Sequence, residues 1–205
     1  MFVTRHTNIV DAAVLDRLWA LYEAAYLPTT TETVTREMLY RSEFDSSMAD
    51  PTNRVWVLWD DDQPVGIALV ATDASATHYL SREYFERNFG DHVRRNAVHY
   101  LVWIVVHPTH GAKGTMLRLT REAIFLEADE GALLVFDAPQ MHLGGQRGGS
   151  PGMMSRLAST LVGGAPVHEL ETHRYFAADF SETARARAAR EPVRSEADAK
   201  DLSRA

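Results

Sequence analysis

The chain has 205 residues, enough for one domain with or without a tail, and 45% of them are hydrophobic, which suffices for a real core. It has no cysteine, which excludes disulfides, a thiol nucleophile and cysteine-ligated zinc. The formal net charge of -7 argues against a broad nucleic-acid-binding surface and mildly favours a cationic or neutral small-molecule partner. No signal peptide is expected, because Met1 to His6 lead straight into a polar segment, and the apolar run at 101–106 is far too short to cross a bilayer. A cytoplasmic protein with no membrane or nucleic-acid partner is the resulting expectation.

In chain order, residues 2–7 predict a short strand. Asp11 then caps a helix with apolar residues at Leu15, Leu18, Trp19, Tyr22 and Tyr26, a helical spacing. Pro28 breaks it, and a second helix is predicted over 33–48, ending before Pro51. Residues 54–59 and 65–70 read as two strands of an antiparallel hairpin. Its three aspartates, Asp60, Asp61 and Asp62, mark a turn, since a calcium loop needs further acidic ligands. Residues 72–96 form an inserted segment with an amphipathic helix over 80–89, closed by Gly90. Its aromatics Tyr84, Phe85 and Phe89 need cover, which fits either an acceptor cleft or a homodimer contact.

Residues 98–106 are a β-branched and aromatic run with the composition of a buried strand, stopped by Pro108. A Gly/Lys loop follows, and Thr115 is the expected cap of a helix whose apolar face holds Met116, Leu117, Leu119, Ile124 and Phe125. Strand, small loop and helix N-terminus together fit either an ordinary β–α turn with a helix cap or an anion site, the latter because the first N–H groups of a helix have no partner within it and its dipole favours negative charge. Gly111 and Gly114 admit a ligand close to the backbone, and Lys113 adds a positive charge. Further on, 132–136 is a strand ended by Asp137 and Pro139, 141–152 a glycine-rich loop, 151–162 a helix and 167–176 a strand or bent hairpin. Phe180 is the last expected core residue. The chain is divided accordingly into a domain over 1–180, with 72–96 inserted, and a charged tail over 181–205 that is a frayed helix or disordered.

The central stretch resembles the motif of the GNAT superfamily of N-acetyltransferases. There the fourth strand commonly ends in Val-x-Pro, followed by Gln/Arg-x-x-Gly-x-Gly/Ala opening a helix that holds the coenzyme A pyrophosphate. Val106-His107-Pro108 matches the strand end and Gly114 the middle glycine, while Gly111 and Met116 depart from the pattern. The order β-α-α-β-β-insert-β-α-β-α-β also resembles that family, and the likeness spans residues 2–180. It implies an α/β (α+β) fold: a mixed, mostly antiparallel sheet flanked by helices, with the fourth and fifth strands splayed apart. It further implies acyl transfer, acetyl foremost, from acetyl-CoA or another acyl-CoA to a small-molecule amine. The CoA-binding residues would be Val105, Val106, His107, Gly111, Ala112, Lys113, Gly114, Thr115 and Met116, with a backbone N–H near Val105 or Val106 meeting the thioester carbonyl.

Side-chain catalysts are less clearly marked. Histone-type members of the family carry a glutamate base six residues before the Val-x-Pro valine, and Tyr100 stands there in this chain. His99 is adjacent but faces the opposite side of a regular strand, unless a bulge re-aims it, and is otherwise a core histidine. Asp137, at the end of the fifth strand, is placed to receive a proton or hold a cationic acceptor, or is simply a turn residue. The helix at 151–162 offers no tyrosine as proton donor to the leaving thiolate. His107 and His110 are spaced like metal ligands, but no carboxylate stands at a motif spacing, and no metal is expected. Two alternatives accompany the enzyme reading: a GNAT-fold acyl-CoA-binding or regulatory module without turnover, and an acyltransferase for a longer acyl chain with the aromatic insert lining its site.

Overall fold

The computed structural model describes residues 1–32, 36, 38–73, 77, 80–111, 114–139, 142–143, 149–172, 174 and 177. They fall in two units, Met1–His168 and Glu169–Ala205. In the second, residues 169–172 carry no regular secondary structure. The first contains a five-stranded sheet in the order β1 (Phe2–His6), β2 (Asn53–Asp60), β3 (Gln63–Ala71), β4 (Val98–Val106), β5 (Leu133–Val135). The first four strands pair antiparallel, and β4 pairs parallel with β5. The helices are α1 (Ala12–Tyr26), α2 (Arg41–Ala49), α3 (Arg82–Asn88), α4 (Gly90–Arg94), α5 (Thr115–Asp129) and α6 (Gly149–Val162). None among the described residues is long and apolar enough to cross a membrane.

The sheet is buried on both faces. On one, Leu18, Leu21 and Tyr22 of α1 and Phe44 and Met48 of α2 pack onto Val55, Val57, Ile67, Leu69, Trp103 and Val105. On the other, Leu119 of α5 packs onto Trp56, Leu58, Ala68 and Val70. Each large apolar side chain removed from water in this way contributes about 1.5–3 kcal/mol, which makes α1 and α5 inseparable from the sheet. Alternation along β2 and β3 assigns each side chain to its face.

Local chemistry explains where the elements begin. Asp11 caps α1 as expected, its carboxylate accepting from Val14 N at 2.9 Å. The second helix starts at Arg41, later than the expected 33. Leu39 N is taken by the Tyr22 hydroxyl (3.0 Å) and Tyr40 N by the Glu43 carboxylate (2.7 Å), and Tyr40 is extended, so these residues cannot join a helix. Of the earlier part of that expected helix, residues 33–35 and 37 lie outside the described residues. Gly90 does not close the inserted helix: the break falls at Phe89 (φ -137°), and Gly90 opens α4. Residues 167–172 are not strand, and the rest of that expected strand, Phe180 and the tail fall outside the described residues, apart from Arg174 and Ala177.

The insert joins the end of β3 to the start of β4, at the sheet end opposite the β4–α5 loop. Phe85 is buried, Tyr84 is 40% exposed, and the Tyr84, Phe85 and Phe89 rings pack on one another.

His6 at the end of β1 gives a first prediction. Burial holds its imidazole below the usual range. The Thr4 hydroxyl accepts from Trp59 Nε1 (2.7 Å) and is hydrogen-bonded to His6 Nε2 (2.8 Å). With the folded pKa lowered, the unfolded chain binds more protons. The contribution is complete above about pH 6.5 and is lost as pH falls through the folded pKa. The urea midpoint should therefore drop between about pH 7.5 and about pH 5.5, and His6→Gln should shrink that drop.

Candidate active site

β4 carries the site because two features interrupt its regularity. First, its register against β3 shifts: Leu69 pairs with Trp103 and Val70 with Leu101, so Val102 is a bulge without a partner on β3. Second, β4 pairs with β5 only from Val98 to Tyr100. Beyond Tyr100 it runs on to Val106, whereas the chain after Val135 leaves the sheet, and the two parallel strands part. The splay expected of the fourth and fifth strands is therefore present.

Tyr100 and Asp137 meet at this parting. Val135 is the partner of Tyr100, and Asp137, two residues on, shares its face. The Tyr100 hydroxyl donates to Asp137 Oδ1 at 2.6 Å, a diagonal cross-strand contact. Tyr100 is buried and Asp137 exposed, so the phenol fixes a carboxylate that still faces water.

His99 does not join them. The bulge follows it at Val102, so His99 keeps the regular alternation and turns to the α5 face, where it is 2% exposed. There its Nδ1 meets the buried Glu127 carboxylate, and its Nε2 lies 3.9 Å from Glu130. Arg54 of β2 donates to Glu127 Oε1 (3.1 Å) and to both oxygens of Glu130 (2.9 and 3.0 Å). This network ties β2 and β4 to α5. Sequence reading missed it: Glu127 and Glu130, three apart on a helix, look like a solvated face, and nothing in the sequence marks Glu127 as buried. His99, Glu127 and Glu130 place ligand atoms within 4.8 Å of one another, but the guanidinium of Arg54 already holds both carboxylates, so this donor set has its cation.

At the other end of β4, Val105 faces the α1–α2 core and Val106 the α5 side, and His107 N donates to Val65 O (2.9 Å). Pro108–His110 form one 3-10 turn, followed by Gly111 in a right-handed conformation. His107 Nδ1 accepts from Thr109 N, and the Thr109 hydroxyl links His107 to His110 (2.8 and 2.9 Å), which stiffens the turn. Ala112 and Lys113 lie outside the described residues. Gly114 is the N-cap of α5, in the left-handed region (φ 71°, ψ 18°). Thr115 is therefore not the cap; it is the first residue of the helix and buried. Met116 is half-buried beside it. The α5 N-terminus has no side-chain cap and no acid in its first turn, whereas Asp11 fills that of α1. Among the described residues, no acidic side chain of its first turn opposes an external anion there.

Solved structures share this architecture. A Pyrococcus horikoshii protein provisionally named an acetyltransferase aligns over 67% of this chain and 80% of its own, with a TM-score of 0.53 and 14% identity. An aminoglycoside acetyltransferase from an uncultured soil metagenomic sample covers 86% of this chain and 95% of its own (TM-score 0.48, 13% identity). An aminoglycoside 6'-N-acetyltransferase from Acinetobacter haemolyticus covers 87% and 99% (TM-score 0.48, 14% identity). No family model and no curated protein matches the chain. The first of these structures assigns the fold, and only the fold: the chain has an α+β, GNAT-like fold.

Proposed function

We propose that this GNAT-fold chain is an acyl-CoA-dependent N-acyltransferase that acts on a small-molecule amine by direct transfer. The observation that carries the reading is the parting of β4 from β5 immediately after Tyr100, with the Tyr100–Asp137 pair beside it and the open α5 N-terminus at the far end of the same strand. The acyl-CoA pyrophosphate would rest on the turn from Gly111 to Met116, and its thioester would reach back along β4 into the opening. The likeness of Val106-His107-Pro108 and Gly114 to the family motif supports that placement.

The chemistry then follows from the residues at the opening. The amine, with a pKa near ~10, arrives protonated and must lose a proton before it attacks. Asp137 holds the ammonium in its solvent-facing carboxylate, and the proton leaves through water. The nitrogen adds to the thioester carbon, and a backbone N–H of the bulged strand meets the oxyanion. Collapse of the adduct breaks the C–S bond as the nitrogen gives up its second proton to water, and the released CoA thiolate takes a proton back from water. In this scheme Tyr100 is a positioning residue for Asp137, and His99 holds β4 in place against α5.

The test is CoA-thiol release from acetyl-CoA over a panel of small amines. Tight CoA binding without acceptor-dependent release would overturn turnover and leave a binding module. In the same assay Asp137→Asn should lower kcat/KM for the amine by about ten- to hundredfold, the low end of acid–base effects for an exposed group, with CoA affinity unchanged. Tyr100→Phe should produce a smaller loss of the same kind, and its effect should vanish in the Asp137→Asn background.

A further inference from the structure

A cavity lies on the α5 face of the sheet, enclosed by β3, β4, β5, α5 and α6. It offers about 40 Å³ to the centre of a water-sized group, where one such group needs about 10–15 Å³. Its walls are apolar: Leu101 and Ile104 of β4, Leu134 of β5, Ala123 of α5, and Met154 and Leu157 of α6. Of its described lining, the two polar residues are engaged elsewhere. The Thr120 hydroxyl donates to Met116 O (2.8 Å), and Arg54 and His99 take the Glu127 carboxylate. An apolar cavity of this kind stays dry and accepts apolar guests.

Its position is informative. Leu101 and Ile104 stand on either side of the Val102 bulge, and Leu134 pairs with His99 just before the strands part. The cavity therefore adjoins the stretch of β4 where the thioester would be held. We propose that the acyl group carried by this protein is longer than acetyl, about four carbons, and that its tail fills this cavity, which has room for about three methylene-sized groups. The proposal rests on the acyl-transfer reading. It moves the acyl site away from the aromatic insert, none of whose described residues line the cavity.

Calorimetry on the full chain with CoA, acetyl-CoA, butyryl-CoA and decanoyl-CoA tests it. Butyryl-CoA should bind about tenfold or more tightly than acetyl-CoA, from two further buried methylenes, and decanoyl-CoA no more tightly than butyryl-CoA. Ala123→Leu adds three carbons inside the cavity and should erase the butyryl preference while leaving CoA affinity unchanged. Should circular dichroism show that this variant does not fold, Ala68→Val fills the same space from the sheet side. Equal affinity for acetyl- and butyryl-CoA overturns the proposal and leaves the acyl-transfer reading standing. So does a butyryl preference that survives a folded filling variant, and so does tightest binding of decanoyl-CoA. Failure of every CoA species to bind overturns both.

Discussion

Gly114→Asp is expected to fold and to lose CoA affinity by about a thousandfold. Among the described residues beyond its chain neighbours, a Cβ at Gly114 would meet no atom within 4 Å, so none of them opposes the substitution. Its φ of 71° is costly for most residues, but Asp and Asn tolerate the left-handed region best. The added side chain projects into the open space next to the α5 N-terminus, where the pyrophosphate would rest. Two like charges about 4 Å apart repel by about 4 kcal/mol at the effective dielectric of a protein surface, which is about three decades of affinity. Gly114→Asn carries nearly the same bulk without the charge and should lose only about tenfold. Calorimetry with CoA at two salt concentrations checks both, because the Asp-specific part should shrink at high salt. A folded Gly114→Asp protein that binds CoA like the parent would show that this turn is not the pyrophosphate site.

Glu127→Leu is the expected large effect on stability. It removes the carboxylate shared by Arg54 and His99; Arg54 keeps its bonds to Glu130, while a fully buried imidazole is left facing an apolar side chain. Breaking a buried pair from one side costs about 3–5 kcal/mol, because the remaining group stays desolvated without its partner. For a chain of this size that corresponds to a fall in Tm of about 6–20 °C. Arg54→Met combined with Glu127→Leu should cost less than the sum of the two single changes, since either one alone already breaks the Arg54–Glu127 contact. Urea denaturation of the two single variants and the double variant reads the coupling. Strict additivity would mean that the network contributes nothing beyond its separate side chains. CoA thiol release by folded Glu127→Leu would further separate a scaffold role of His99 from a catalytic one.

Much of the architecture is legible in local sequence. The strands at β2, β3 and β4 follow from β-branched and aromatic runs. The α1 start follows from Asp11, and the end of β4 from Pro108, because strand composition, capping and the missing proline N–H act within a few residues. Tyr100, Asp137 and the 105–116 turn could be singled out for the same reason: each lies at a chain position where a strand ends or a known motif aligns.

What tertiary structure alone decided depends on contacts between residues far apart in the chain. The Tyr100–Asp137 bond spans 37 positions, and the His99–Glu127 and Arg54–Glu127 contacts span 28 and 73. No periodicity reports which carboxylate a strand will meet once a helix crosses it. The bulge at Val102 is set by the register of β3 against β4, so whether His99 turned to the opening or to α5 was undecided until that pairing formed. The late start of α2 has the same origin, since the hydroxyl of Tyr22, 17 positions away, takes the Leu39 N–H that a helix would have needed. The sequence by itself thus determined where the strands of the sheet and most of the helices lie along the chain. The sheet register and the crossing of α5 determined which side chains meet at the opening, because a side chain's partner is fixed by packing rather than by its neighbours in the chain.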